Sequence, residues 1–165
     1  MATPTNLPAT FVAGNILTAA QMNSLRGAFR TLQVVQYTTS TYTTYLGTYS
    51  GSTLTGAITP QSSTSKILVQ AFVNGCVRGA ESAANALNLQ LTRAGTQILE
   101  VKDWGLTSTT LLQVGTVNMS YLDSPATTSS TTYTINGKNS AGAITTVGTQ
   151  FGTTTSTLIL TEISA

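Results

Sequence analysis

Chemistry in this chain has few residues to draw on. It has five carboxylates, Glu81, Glu100, Asp103, Asp123 and Glu162, and no histidine. Glycoside hydrolysis needs two carboxyl groups facing one another across a cleft. Glu100 and Lys102, two apart, fall on one face of a strand and read as an ordinary surface pair. Asp103 stands beside Trp104, the one tryptophan, and resembles a fragment of a sugar-binding site. Asp123, in the run Tyr121-Leu122-Asp123-Ser124-Pro125, is placed to accept turn N–H groups. A serine or threonine nucleophile needs a base, and without histidine that base would be Lys66, Lys102 or Lys138, none of which lies in a recognisable motif. The single cysteine, Cys76, sits in an apolar stretch and reads as a small buried hydrophobe. There is no phosphate loop and no metal-ligand cluster. The inventory predicts no enzyme, no metal and no cofactor.

Composition points the same way. The chain has 165 residues, of which 41% are hydrophobic and only 7% charged, with a formal net charge of +2. Threonine and serine number 34 and 16, so hydroxyls rather than charges make the surface soluble. Such a surface responds weakly to salt and offers little repulsion between identical copies, which permits dense self-assembly. Seven scattered cations cannot form the stripe that neutralises nucleic-acid phosphates. One cysteine excludes a disulfide framework, and no apolar run approaches the length of a membrane span. The first residues, Met1 to Pro8, lack the basic and apolar regions of a secretory signal. A domain of this length buries enough surface to fold on its own.

The elements that hold these residues divide into three parts. Residues 1–16 read as an extended arm, because Pro4 and Pro8 block helix and Pro, Thr and Asn dominate. Residues 17–32 read as a short helix. Thr18 to Gln21 forms a capping box, and Leu17 with Met22 a hydrophobic staple. Met22, Leu25, Phe29 and Leu32, at spacings of three, four and three, share one face. That stripe has two readings: it packs on the chain's own β domain, or it bundles protomers or docks a partner. From residue 33 to residue 165 the pattern is strand after strand, with candidates at 33–38, 42–49, 53–59, 66–77, 86–93, 97–102, 110–121, 131–136, 142–148 and 156–163. Arg93-Ala94-Gly95-Thr96 fits a tight hairpin turn with Gly95 at positive φ, and Asn136-Gly137 is the strongest short turn signal. Thr59-Pro60-Gln61 and Ser124-Pro125-Ala126 mark loops. Many short strands and no second helix imply an all-β, jelly-roll-like β-sandwich.

Two parts of the chain resemble structural proteins of tailed-phage virions. In residues 11–29, Phe11, Gly14, Leu17, Thr18, Ala19, Met22 and Asn23 match an F-x-x-G-x-x-L-T-A-x-x-M-N run that precedes a β domain in that family. The remainder is similar through Ile58-Thr59-Pro60, Ser65-Lys66-Ile67-Leu68-Val69, Tyr121 to Thr127, Thr132-Tyr133-Thr134 and Leu158 to Ile163. The resemblance implies a homotrimer of jelly-roll or similar domains located in the virion, assembled in the bacterial host cytoplasm. Its partners would be itself and the major capsid protein or another virion component, with no nucleic acid and no membrane. A short arm, one helix and one domain favour a capsid decoration (cement) protein. The alternatives are a short tail or head fibre or adaptor contacting a host receptor, or a cellular adhesin module. The candidate assembly residues are Pro4, Pro8, Phe11, Leu17, Met22, Leu25, Phe29 and Leu32.

Overall fold

A computed structural model describes residues 18, 19, 30–79, 85–105, 112–140 and 147–164. Ten strands run in chain order: β1 (Thr31–Thr39), β2 (Thr43–Tyr45), β3 (Ser50–Ile58), β4 (Lys66–Arg78), β5 (Leu87–Arg93), β6 (Thr96–Trp104), β7 (Gln113–Asp123), β8 (Thr131–Asn139), β9 (Val147–Thr149) and β10 (Ser156–Ile163). Each overlaps one of the ten segments expected from alternation. β2 and β9 are the shortest, three residues each against the expected 42–49 and 142–148.

Pairing follows one rule. β1 pairs β10, β2 pairs β9, β3 pairs β8, β4 pairs β7 and β5 pairs β6, all antiparallel. The chain is therefore a long nested hairpin whose tip is the Arg93–Thr96 turn. That tip is built for the job: Ala94 and Gly95 both adopt positive φ, 47° and 85°. This is the backbone pattern that matches the twist of two flanking strands. Rolling the hairpin up adds pairings of β10 and β9 with β4, and of β8 with β5. The result is two sheets, one containing β1-β10-β4-β7 with β9 and β2, the other ordered β3-β8-β5-β6. Apart from the short β2–β9 rung, this is the strand order of a jelly roll.

The core lies between the sheets. Ile67, Val69, Ala71 and Val73 of β4 meet Leu87, Leu89 and Leu91 of β5, with Val117, Met119, Tyr133, Ile135, Leu158 and Leu160 around them. Cys76 is buried in the same cluster, as its apolar setting predicted. Thr59 to Gln61 and Ser124 to Ala126 are loops, as expected.

Two expectations need correction. Asn136 and Gly137 are not a turn; they lie inside β8, opposite Gln90 and Leu89. Glycine is needed at 137 for space, because a Cβ there would stand 2.5 Å from the ring of buried Tyr45. The helix expected over 17–32 also fails at its last two positions. Thr31 and Leu32 belong to β1, where backbone pairing to β10 outweighs the helical spacing. The arm (1–16) and residues 17 and 20–29 of the helix lie outside the described residues.

The fold has two poles. Arg30 and Ser164 meet at one of them, where Arg30 N donates to Ser164 Oγ (2.9 Å) and Ser164 N to Arg30 O (2.9 Å). The tight turn at 94–95 and the loops at 59–65 and 124–130 share that pole. At the opposite pole β1, β4, β6 and β8 end.

Candidate assembly surface

Of the sequence-predicted assembly residues, Pro4, Pro8, Phe11, Leu17, Met22, Leu25 and Phe29 lie outside the described residues. Leu32 is half-buried at the start of β1, beside the register shift between Thr31 and Gln33, and its carbonyl accepts from Gln61 Nε2 (3.4 Å).

The ionisable groups staple the sandwich together. Asp123, buried at the end of β7, accepts from Arg93 Nη1 (2.8 Å) on β5 and from Tyr133 OH (2.7 Å) on β8. It therefore ties one sheet to the other, instead of accepting the turn N–H groups expected of it. Burial and the neighbouring carboxylate push the Tyr133 hydroxyl far above its ordinary value. Glu162, fully buried on β10, accepts from Gln33 Nε2 (2.6 Å) and from the backbone N of Gln61 (2.8 Å). Arg78 is fully buried as well and donates through Nε to Asn85 O (2.9 Å). At the β2–β9 corner, Tyr45 OH lies 2.9 Å from Thr149 Oγ1. The Gln150 amide spans the gap to Ser156 Oγ (2.7 Å), and Ser156 Oγ accepts from Asn74 N (2.9 Å).

On the outer face of the β3-β8-β5-β6 sheet, Glu100 and Lys102 pair at 3.3 Å, as their spacing predicted. Tyr49 OH donates to Glu100, and Lys138 Nζ sits 4.6 Å from the Tyr49 ring centre. Glu100 is held below the usual carboxylate range, first by the Tyr49 hydroxyl and then by Lys102, against the opposing effect of burial. Asp103 and Trp104 do not converge on one site. Asp103 N donates to Asn88 Oδ1 (2.7 Å), whereas Trp104 lines an open cleft of about 410 Å³ with Gly105, Leu112, Gln113 and Val114. Among the described residues, no three His, Cys, Asp or Glu side chains gather as a metal site, and no helix is long and apolar enough to cross a membrane.

What the structure does assemble is an outer sheet face with one row rich in apolar side chains. Strand register aligns Val34 (β1), Thr161 (β10), Leu68 (β4) and Leu122 (β7) in one row across the outside of the larger sheet. Val34 is 58% exposed and Leu122 is 56% exposed. The other outward rows mix Ile163, Ile159 and Phe72 with Gln36, Gln70, Ser120, Thr157 and Asn118. Within the four-strand part of that face the charged residue is Lys66, and its Nζ donates to Ser124 Oγ (2.7 Å). Sequence reasoning passed over this surface. The signal was present in Ile67-Leu68-Val69 and Leu158-Ile159-Leu160, where apolar residues occupy both parities of a strand and so both faces of a sheet. A second apolar group lies at the pole away from Arg30, where Tyr42 and Phe151 pack edge to face with centres 5.7 Å apart. Both remain exposed, as does Leu46.

No protein-family model matches the chain, and no curated protein matches it. Among solved structures it is similar to the VP2 subviral particle of infectious bursal disease virus, with a TM-score of 0.38 and 15% identity over 82% of this chain and 38% of that one. It is also similar to dimeric latent PorU from Porphyromonas gingivalis, with a TM-score of 0.41 and 11% identity over 82% of this chain and 13% of that one. The chain spans less than two thirds of either protein.

Proposed function

We propose that the chain is a structural protein of a tailed-phage virion, acting as a trimeric capsid decoration protein held to the head by residues 1–32. The observation that supports this reading most directly is the polarity of the fold. Residue 30 joins the sandwich at one pole, beside a sparsely charged sheet face, and β1, β4, β6 and β8 end at the other. An arm and helix leading into that pole can lie on neighbouring subunits while the β domain projects. Many weak contacts multiplied over a shell then give stable attachment by avidity. The work is mechanical, and it uses the buried staples around Asp123 and Glu162 to keep the projecting domain rigid.

One feature favours a second reading, a short tail or head fibre or adaptor. Tyr42, Phe151 and Trp104 place aromatic rings at the pole opposite Arg30, where a receptor would be met.

Cryo-electron microscopy of whole virions separates the two. Hundreds of copies at capsid three-folds support decoration. A handful at the tail or at one vertex supports the fibre, and absence from the particle overturns both. Removal of residues 1–16 is expected to abolish attachment to shells while leaving a folded β domain; full occupancy by the truncated protein refutes the role of the arm.

A further inference from the structure

We infer that β1 is the force-carrying strand of this domain, built to hold against a pull that enters at residue 30 and is resisted at the opposite pole. The inference rests on the reading that the residues before 30 hold the domain to a shell, and it names the device that makes such an anchor strong. β1 starts at the Arg30 pole and runs to the other; β10 starts at that other pole, just after Thr155, and runs back beside it. Eight register pairs join them, from Thr31 opposite Ile163 to Thr39 opposite Ser156. A pull at residue 30 resisted at Thr155 therefore draws two antiparallel strands past one another. Ladder hydrogen bonds lie across the strands, so such a pull strains every rung together. Residues 30 and 164 are hydrogen-bonded neighbours at one pole, and a pull between them opens the same ladder one rung at a time.

β1 is an edge strand, with β10 as its backbone partner. Its inward side chains make a second attachment, to β3 of the facing sheet. Gln33 Nε2 donates to Thr59 O (2.7 Å), just beyond β3, and Tyr37 OH donates to Ala57 O (2.7 Å). Thr39 Oγ1 lies 2.7 Å from Thr53 Oγ1. These residues share one face of β1, so the polar seam runs the length of the strand. The Tyr37 ring also fills a notch in β3, because a Cβ at Gly56 would overlap it, and a ring seated in a notch resists sliding along the strand. At the entry, Glu162 ties β10 to both neighbours, accepting from Gln33 Nε2 (2.6 Å) and Gln61 N (2.8 Å), while Gln61 Nε2 donates to Leu32 O (3.4 Å).

The test stretches single molecules of the full chain in optical tweezers, with Arg30→Cys as one handle. The second handle is Thr155→Cys for the pull along the strands, or a tag after Ala165 for the pull that opens the ladder. Arg30 and Thr155 are exposed, whereas Cys76 is buried and does not compete for the handles. Forced unfolding reads the barrier to unfolding and not the equilibrium stability, so the direction of pull decides the result. At one loading rate, the rupture force along the strands is expected to be several-fold higher than the opening force. Tyr37→Phe removes one hydroxyl and keeps the ring. It is expected to lower the force along the strands and to leave the opening force, set by the rungs nearest Thr31, unchanged.

Equal forces in the two directions overturn the inference, as does a higher force for opening the ladder. If Tyr37→Phe lowers both forces alike, or neither, the seam to β3 carries no force and β1 is not held as inferred. If the chain is absent from virions, the anchoring reading fails, while the difference between the two pulls still decides the role of β1.

Discussion

Gly137→Ala is the sharpest test of how this sandwich closes. In the sequence, Asn136-Gly137 reads as a turn; in the structure the pair sits mid-strand in β8. A Cβ at 137 would lie 2.5 Å from Tyr45 Cε2 and 2.6 Å from Cδ2 and Cζ, whereas carbon contacts settle at about 3.5–4.0 Å. The ring must therefore retreat by about 1 Å. It is 1% exposed and tethered through its hydroxyl to Thr149 Oγ1 at 2.9 Å, so it has little room to do so. Overpacking of this kind costs about 1–3 kcal/mol. The better strand propensity of alanine returns only about 0.5–1 kcal/mol. A net loss of about 2 kcal/mol is expected from urea denaturation at fixed protein concentration. The decisive measurement is the double-mutant cycle with Tyr45→Ala. With the ring gone, Gly137→Ala meets open space and should stabilise by about 0.5–1 kcal/mol, giving a coupling of about 3 kcal/mol. A glycine needed for a positive-φ turn would cost the same in both backgrounds. Coupling below about 0.5 kcal/mol refutes the argument, since sites that do not touch add within that margin.

Three further outcomes follow from the ionisable groups. Asp123→Ala removes the acceptor shared by Arg93 and the buried Tyr133 hydroxyl, and should lower stability by about 3 kcal/mol; a loss under about 1 kcal/mol in denaturant melts shows that the sheets do not depend on it. Burial pushes the Cys76 thiol from 9.0 up to about 12. Its contribution is full below pH 9 and should fall by about 1.4 kcal/mol per pH unit as pH rises toward 12, because the unfolded thiol ionises first. Cys76→Val should remove that slope, and native protein should react with a thiol reagent only as fast as it unfolds. Glu100 has the opposite sign: held below its ordinary value by Tyr49 and Lys102, it stabilises above about pH 4.5 and loses this as pH falls through its lower folded value. Lys102 is 62% exposed, so melting of Glu100→Gln against wild type at pH 6 and pH 3 should differ by less than about 1 kcal/mol.

The strands were most legible where burial alternates along them, as in β3, β7, β8 and β10; β5 and β9, buried on both faces, show no such alternation. The hairpin tip was legible because Gly95 supplies a backbone shape that few residues tolerate. Gly137 misled for the same reason: a glycine signals either a special dihedral angle or a close neighbour, and the neighbour here, Tyr45, is ninety-two positions away in the sequence. Asp123 misled similarly, since local spacing offers it turn N–H groups while the fold delivers Arg93 and Tyr133 from the other sheet. The apolar row was hidden by register. Val34, Leu68 and Leu122 become neighbours only when β1, β10, β4 and β7 align, and nothing in the intervals between them announces that alignment.

The placement of charge ties these observations together. A solitary domain with so few ionisable residues would gain most by exposing them all. Here Arg78, Asp123 and Glu162 are buried, and the paired groups Glu100, Lys102 and Lys138 stand on the outside of one sheet. The outside of the other carries Val34, Leu68, Leu122 and Ile159. Burying a charge costs several kcal/mol unless it is matched by donors or a counter-charge, so charges placed inside bring rigidity rather than solubility. The outside of the larger sheet relies instead on hydroxyl and amide groups, with Thr161, Gln36, Gln70 and Ser120 among its apolar residues. Val34→Asp with Leu122→Asp puts two charges on that outer surface and touches none of the internal staples, so cooperative unfolding in denaturant is expected to be retained; its loss refutes the claim that those staples hold the sandwich.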